Sequence, residues 1–243
     1  MKNSNDLIFL KNIISKPPIN CGSKSKILWD YKMYLKNLSD IQWEASIGLM
    51  LGDASLQTQN KGKNYRMKFE WGNKNKIYAE HVYALFNEWV LSPPHKKLRI
   101  NANANGKIVV NWGFQTISHN AFNPLKDLFF INKNKGIIPN IIKNHFTGRG
   151  LAFWFMDNGG RLDYNKNSVN KELVLNTHSF IREEVEIMNN ELSNKFNLNT
   201  IIRLNKNKNI IVIQPESYNK FINLTYMSIF TPLWDISCQS NNY

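Results

Sequence analysis

One order of elements is written twice along this chain, and that repetition limits the fold more than any composition figure. In the first half, Ser39 or Asp40 can cap a helix through IQWEASIGLMLGD, followed by strand-like ASLQTQN and YRMKFEW on either side of the basic turn KGKN. KIYAEHVYALFNEWVL then reads as a helix with Ile77, Val82, Leu85, Phe86 and Val90 on one face, stopped by Ser92-Pro93-Pro94. KLRINA and KIVVNWGF flank Asn103-Ala104-Asn105-Gly106 as a hairpin, and AFNPLKDLFF closes the unit as a helix. The second half repeats the types: RGLAFWFMDNGG a helix ended by paired glycines, ELVLNTHSF a strand, and REEVEIMNNELSNKF a helix with Val185, Met188, Leu192 and Phe196 inward. TIIRLNKNKNIIVIQ is a hairpin about an Asn-Lys turn, and a helix from Glu216 to Phe230 ends the unit. The expectation is an α+β fold built by pseudo-twofold duplication.

This order divides the chain into an N-terminal extension at 1–38, a first half at 39–130, a linker at 131–146 and a second half at 147–243. The extension is dense in Pro, Gly and Ser before one short helix around 27–35, and Pro139 can open a short helix in the linker.

Lys and Arg number 31 against 18 Asp and Glu, a formal charge of +13, while 42% of residues are hydrophobic. A folded chain this basic suits a polyanion, because each phosphate it neutralises releases condensed counterions. No apolar run is long enough for a membrane span and no leader pattern opens the chain, so a soluble protein without a membrane partner is expected. Cys21 and Cys238 make neither a disulfide framework nor a thiolate metal cluster, which fits a reducing compartment. His81, His95, His119, His145 and His178 lack metal-ligand spacing. The 37 Asn residues, with abundant Ile and Lys, suit an AT-rich coding genome and hence organellar, mitochondrial coding. They fall between periodic apolar segments and read as turns.

The unit-opening helices SIGLMLGDA (46–54) and LAFWFMDNG (151–159) each end on a polar, potentially metal-binding residue. The second resembles the motif of the LAGLIDADG homing-endonuclease family, and the first is a looser match. IGLMLGDA, FEWGNKNK, NEWVLSPPHKK, LAFWFMDNGGRLDYNKNS and NKFNLN, in that order, are similar to single-chain, two-motif members encoded in yeast mitochondrial introns; the similarity runs over about 27–218. This resemblance implies two motif helices side by side at the centre, flanked by curved antiparallel sheets that form a DNA-binding saddle. Independently of the family, Gly48 and Gly52 lie one helical turn apart and leave a groove for another backbone or a bulky side chain such as Phe153.

Phosphodiester hydrolysis needs cations at the phosphate, and carboxylates to hold them. Mg²⁺, or Mn²⁺ in its place, suits oxygen ligands. The resemblance places the paired acids at Asp53 and Asn158, so one family Asp is an Asn here. An amide is isosteric with a carboxylate but neutral, which removes one charge from the metal site. The resemblance also implies backbone carbonyls of Gly52 and Asp157 as metal ligands. The Asp157 side chain is expected to point about 100° away from Asn158 and so not to replace it. A basic residue near each site is implied too: Gly136 occupies the matching linker position with Lys133 and Lys135 beside it, and the later one falls near Asp235 and Ile236.

Polar residues alternating on strands are the candidate DNA readers: Gln57 and Gln59 with Ser55, then Arg66, Lys68 and Glu70, with Lys61 and Lys63 at phosphate. Lys96, Lys97 and Arg99 form a second cluster, and Arg161, Lys166, Arg203, Lys206 and Lys208 are the counterparts in the second half. A solvated face is the plainer reading of any single Lys. Trp112 and Trp154 are expected in the core. Three functions remain open: a site-specific, monomeric double-stranded DNA endonuclease initiating intron homing, impaired or nicking because of Asn158; a maturase that binds intron RNA; or a basic structural module.

Overall fold

The computed structural model describes residues 15–19, 21–101, 106–131, 134–162 and 171–226. Lys133, Lys166, Asp235, Ile236, Cys238 and 103–105 of the first hairpin turn lie outside the described residues. The chain divides into two compact units, 1–39 with 56–123, and 40–55 with 124–243. No helix among the described residues is long and apolar enough to cross a membrane.

In the first unit α1 (Lys26–Tyr34) starts at Ser25, whose hydroxyl accepts from the Leu28 N–H at 3.2 Å. Strands β1 (Ser55–Thr58), β2 (Tyr65–Gly72), β3 (His95–Asn101) and β4 (Lys107–Gln115) form a sheet ordered β1-β2-β4-β3, with β2 and β3 both antiparallel to β4. Alternation along β2 buries Met67, Phe69 and Trp71 on one face and leaves Arg66, Lys68 and Glu70 on the other. On the buried face Phe69 stacks on Trp71 and packs at a tilt against Phe86 and Phe114. Helix α3 (Lys76–Leu85) covers it through Tyr78, Ala79 and Val82, then tightens into a 3-10 turn, Asn87–Trp89. The inward face is therefore rotated from the expected one: Ile77 is exposed, because Tyr78 instead packs edge-on against Trp71. Trp112 also leaves its expected place. It is only half-buried, donates to Asn73 and has the ammonium groups of Lys76 and Lys96 at 5.0 and 5.8 Å from its ring, whereas Trp154 is fully buried.

The second unit holds α2 (Asp40–Leu51), a two-residue hairpin of β5 (Phe130–Ile131) with β6 (Asn134–Lys135), α5 (Ile141–His145), α6 (Gly148–Asn158), α7 (Arg182–Phe196) and α8 (Tyr218–Tyr226). Helix α4 (Asn123–Phe129) starts at the last residue of the first unit and runs on into the second, which resumes at 124. Its sheet runs β7 (Gly159–Arg161), β8 (Leu173–Asn176), β10 (Lys208–Ile213), β9 (Thr200–Asn205), with every pairing antiparallel. The β9–β10 turn, at Lys206 and Asn207, has φ of 49° and 62°, the left-handed pair a two-residue hairpin requires.

Helix α2 is buried on nearly every side over Ala45–Leu51, as a helix apolar all round must be. It packs against α6, which opens on Thr147 accepting from Gly150 N–H at 3.2 Å. Their crossing is set by glycine. A Cβ on Gly48 would overlap Gly150 O and stand 2.9 Å from its carbonyl carbon. The Gly48–Gly52 groove is thus filled by the Gly150 backbone and the Asp157 side chain, not by Phe153. Outside the crossing, Arg149 pairs with Glu44 at 3.2 Å.

Candidate functional site

The close crossing brings the C-terminal ends of α2 and α6 together. The Asp53 N–H donates to Asp157 Oδ2 at 2.9 Å, and a Cβ on Gly52 would lie 2.5 Å from the Asp157 Cβ, so the missing side chain at residue 52 admits Asp157. The Asp157 side chain therefore reaches across to the end of α2 and accepts a backbone N–H there, a contact separate from the position of Asn158.

Lys135 completes the group. Its Nζ donates to Gly52 O at 3.0 Å and Ala54 O at 3.2 Å, placing a cation on the free carbonyls of the α2 end. The β5–β6 hairpin carries it there, and α7 fixes the chain on its C-terminal side: Glu184 accepts from Ile137 N–H at 3.0 Å, while Glu191 accepts from the N–H groups of Asn140, Ile142 and Lys143. Gly136, the position the resemblance marked, faces Glu184 instead. Two-residue strands carry no periodic signal, so nothing in the local sequence marks this hairpin.

Gly52, Asp53, Lys135, Asp157 and Asn158 line one end of an open cleft of about 640 Å³, with Arg161, Leu162, Asn176 and Asn205 farther along. Asp53 is open to the cleft yet crowded by protein; this desolvation raises its carboxyl above the usual range, and the Lys135 charge opposes the rise. Burial lowers Lys135 from the ordinary lysine value, opposed by Asp157 and Asp53.

The Asn158 amide has two settings. With Nδ2 inward it donates to Asp157 O at 3.0 Å and Asp53 Oδ1 at 3.2 Å. With Oδ1 inward the amide would bring three oxygens together, an arrangement a bound cation would favour, and its Nδ2 turns to Asn176 O at 3.5 Å. Asn176 Nδ2 meanwhile donates to the Asn158 carbonyl at 2.9 Å. Among the described residues no three His, Cys, Asp or Glu side chains gather for a metal. A donor set of one or two carboxylates with amide and carbonyl oxygens, left open for phosphate and water, nonetheless fits Mg²⁺ or Mn²⁺ and not zinc. The Gly52 carbonyl, expected among the ligands, is occupied by Lys135.

Of the expected DNA readers, Arg66 donates to Gln57 at 3.2 Å, Lys68 is half-buried on the same face, and Gln59, Lys61 and Lys63 are exposed around the β1–β2 turn. Glu70 is held by Arg99, Asn111 and Lys97. Desolvation pushes its carboxyl up, but the hydrogen bonds from Arg99 and Asn111 and the two positive charges bring it down to about 2. Lys96 is exposed. In the second unit Arg161, Lys206 and Lys208 are exposed and Arg203 grips Glu172. The outer face here is less polar than alternation suggests: Val174, Ile210 and Val212 form a small cluster under Leu162.

A family model described as the LAGLIDADG DNA endonuclease family matches residues 43–221. The probable intron-encoded endonuclease 1 of Wickerhamomyces canadensis is 46% identical over 215 residues, covering 88% of this chain and 91% of the relative. The solved structure of the homing endonuclease I-WcaI bound to its DNA recognition sequence is 41% identical, covers 98% of each chain and superposes with a TM-score of 0.83, so the α+β fold of two four-stranded antiparallel sheets is shared with it. The cytochrome b mRNA maturase bI2 of Debaryomyces hansenii is 30% identical over 164 residues, 67% of this chain and 60% of the maturase. With a family model spanning most of its length and a relative this similar end to end, the chain belongs to the LAGLIDADG DNA endonuclease family.

Proposed function

We propose that this chain is a monomeric, mitochondrial homing endonuclease that binds one duplex DNA site and hydrolyses its phosphodiester backbone with Mg²⁺ or Mn²⁺, thereby initiating intron homing, and that it cuts one strand faster than the other. The observation that carries the reading is the meeting of Asp53 and Asn158 at 3.2 Å beside Asp157 and Lys135, in an open cleft. The relatives' names support it: an intron-encoded endonuclease and a homing endonuclease bound to its recognition sequence.

A divalent cation held by Asp53, Asn158 and the Asp157 carbonyl would neutralise a scissile phosphate and lower the pKa of a water bound to it. Asp53 supplies an exposed carboxylate at the cleft. Asp157 holds the Asp53 backbone still through its accepted N–H. Lys135, already fixed by two carbonyls, presents positive charge toward a phosphate oxygen. Asn158 offers an oxygen without charge, which weakens the half of the chemistry that depends on it.

Supercoiled plasmid carrying a target selected from a randomised duplex library tests this. Wild-type chain in Mg²⁺ is expected to accumulate nicked circle ahead of linear product. Asp53→Asn should lose both products by about a thousandfold, on the order of 4 kcal/mol of barrier, while duplex binding in Ca²⁺ stays unchanged. Cutting by Asp53→Asn at the wild-type rate would remove the assignment. The maturase relative and the neutral Asn158 favour a second reading, binding of intron RNA. Binding of structured intron RNA in preference to every duplex, at one fixed salt concentration, would select it.

A further inference from the structure

The two sheets carry the same charged device in the same register. In the first, Glu70 of β2 accepts from Arg99 Nε at 2.5 Å and Nη2 at 2.7 Å, and from Asn111 Nδ2 at 2.9 Å. In the second, Glu172 accepts from Arg203 Nη1 at 2.7 Å and Nη2 at 2.6 Å, and from Gln214 Nε2 at 3.3 Å. Each arginine stands two residues before the Asn that ends its edge strand, Asn101 of β3 and Asn205 of β9. On the central strand Arg99 lies opposite Val109 and Glu70 opposite Gly113, four residues on. Arg203 lies opposite Ile210; Glu172, one step beyond the Leu173–Ile213 pair, is level with Gln214, again four residues on.

The local setting matches as well. The acids are mostly covered, 15% and 12% exposed, and the arginines reach outward at 54% and 40%. A covered carboxylate costs desolvation that a half-exposed ion pair returns only in part, so stability alone is a poor reason for two copies. Clamping also has a recognition consequence. It fixes the guanidinium plane in advance, leaves some of its five N–H donors free for a base edge, and places a negative charge where a passing phosphate would approach.

We infer that Glu70 and Glu172 are specificity-determining positioning residues that orient Arg99 and Arg203 as readers of guanine in the major groove and withhold them from the phosphate backbone. This rests on the DNA-binding reading above. It also reassigns Glu70, whose oxygens are committed to Arg99 and Asn111 rather than to a base.

The test uses the full chain as Glu70→Gln and Glu172→Gln, isosteric changes that spare the strand. On a 30-bp mixed-sequence duplex over a salt series, each variant should bind about five- to tenfold tighter, with the salt dependence steeper by about one phosphate contact. Libraries selected from a randomised duplex should lose their enrichment for guanine at one position each. Arg99→Met should lose the same guanine, and Glu70→Gln in the Arg99→Met background should gain clearly less non-specific affinity than in wild type, only what the lost charge and the freed Lys97 supply. Unchanged salt slope and guanine enrichment, or the same gain with Arg99 absent, overturns the inference. A wild-type chain that prefers no duplex overturns the endonuclease reading itself, a separate outcome.

Discussion

Asn158→Asp is expected to raise linear product from a cognate plasmid by tenfold or more, since each 1.4 kcal/mol recovered at the barrier is about a factor of ten. The substitution keeps the side-chain shape and restores a charge at the point where Asp53 Oδ1 lies 3.2 Å away. Its effect without metal should be opposite. The amide hydrogen bond to Asp53 becomes a like-charge contact, and the Asp53 carboxyl, already raised by desolvation, rises further. An acid whose folded value lies above its unfolded one binds protons in the native state, so stability falls as pH climbs from the unfolded value through the folded one. In EDTA at neutral pH the variant should therefore unfold at a lower temperature than wild type, and Mg²⁺ should raise that temperature more than it does for wild type. Equal linear product from both proteins would show that residue 158 does not limit cutting.

Gly48→Ala should cost about 3 kcal/mol or more, because overpacking is relieved only where something can move. Here the added methyl meets Gly150 O, main chain within a helix, with the Gly150 carbonyl carbon 2.9 Å away. For a chain of this length that is a fall in unfolding temperature of roughly 6–12 °C. Gly150→Ala should cost less: its Cβ would meet the Phe146 ring at 3.0 Å and Glu44 O at 3.2 Å, and the ring can turn. Cleavage gives a second reading, since widening the crossing separates Asp53 from Asn158. A displacement of 1 Å can cost about a hundredfold in rate, so Gly48→Ala should lose activity well below its unfolding temperature. Calorimetry and cleavage rates that match wild type would mean the helices do not meet as described.

Much of this fold was legible because the duplicated element order and the period-two strands leave few alternatives; β2 buries Met67, Phe69 and Trp71 as its alternation requires. Both helix ends were legible too, being written as Gly-Asp and Asp-Asn before small residues. Three features were not. The approach of Lys135 depends on a two-residue hairpin and on Glu184 and Glu191 of a helix some fifty residues later, contacts without local signal. Asp157 enters the site because Gly52, on a helix a hundred residues earlier, has no side chain to exclude it. β10 is buried along Ile210–Ile213 on both faces, so its continuous apolar run could not say which side meets Val174 and Leu162. Trp112 and Ile77 went astray for a shared reason: aromatic or aliphatic character predicts burial only on average, and the Trp112 indole N–H found Asn73 near the surface.

The central claim is that the ends of α2 and α6 hold one cation site made by Asp53 and Asn158. Anomalous diffraction at the manganese edge, from crystals of the chain with its selected duplex and Mn²⁺, tests it most directly. The expected result is a peak about 2.1 Å from an Asp53 carboxylate oxygen, with the Asn158 amide turned oxygen-inward toward the same ion and a DNA phosphate on the other side. A peak that avoids Asp53, or none in that cleft while DNA occupies it, would contradict the account.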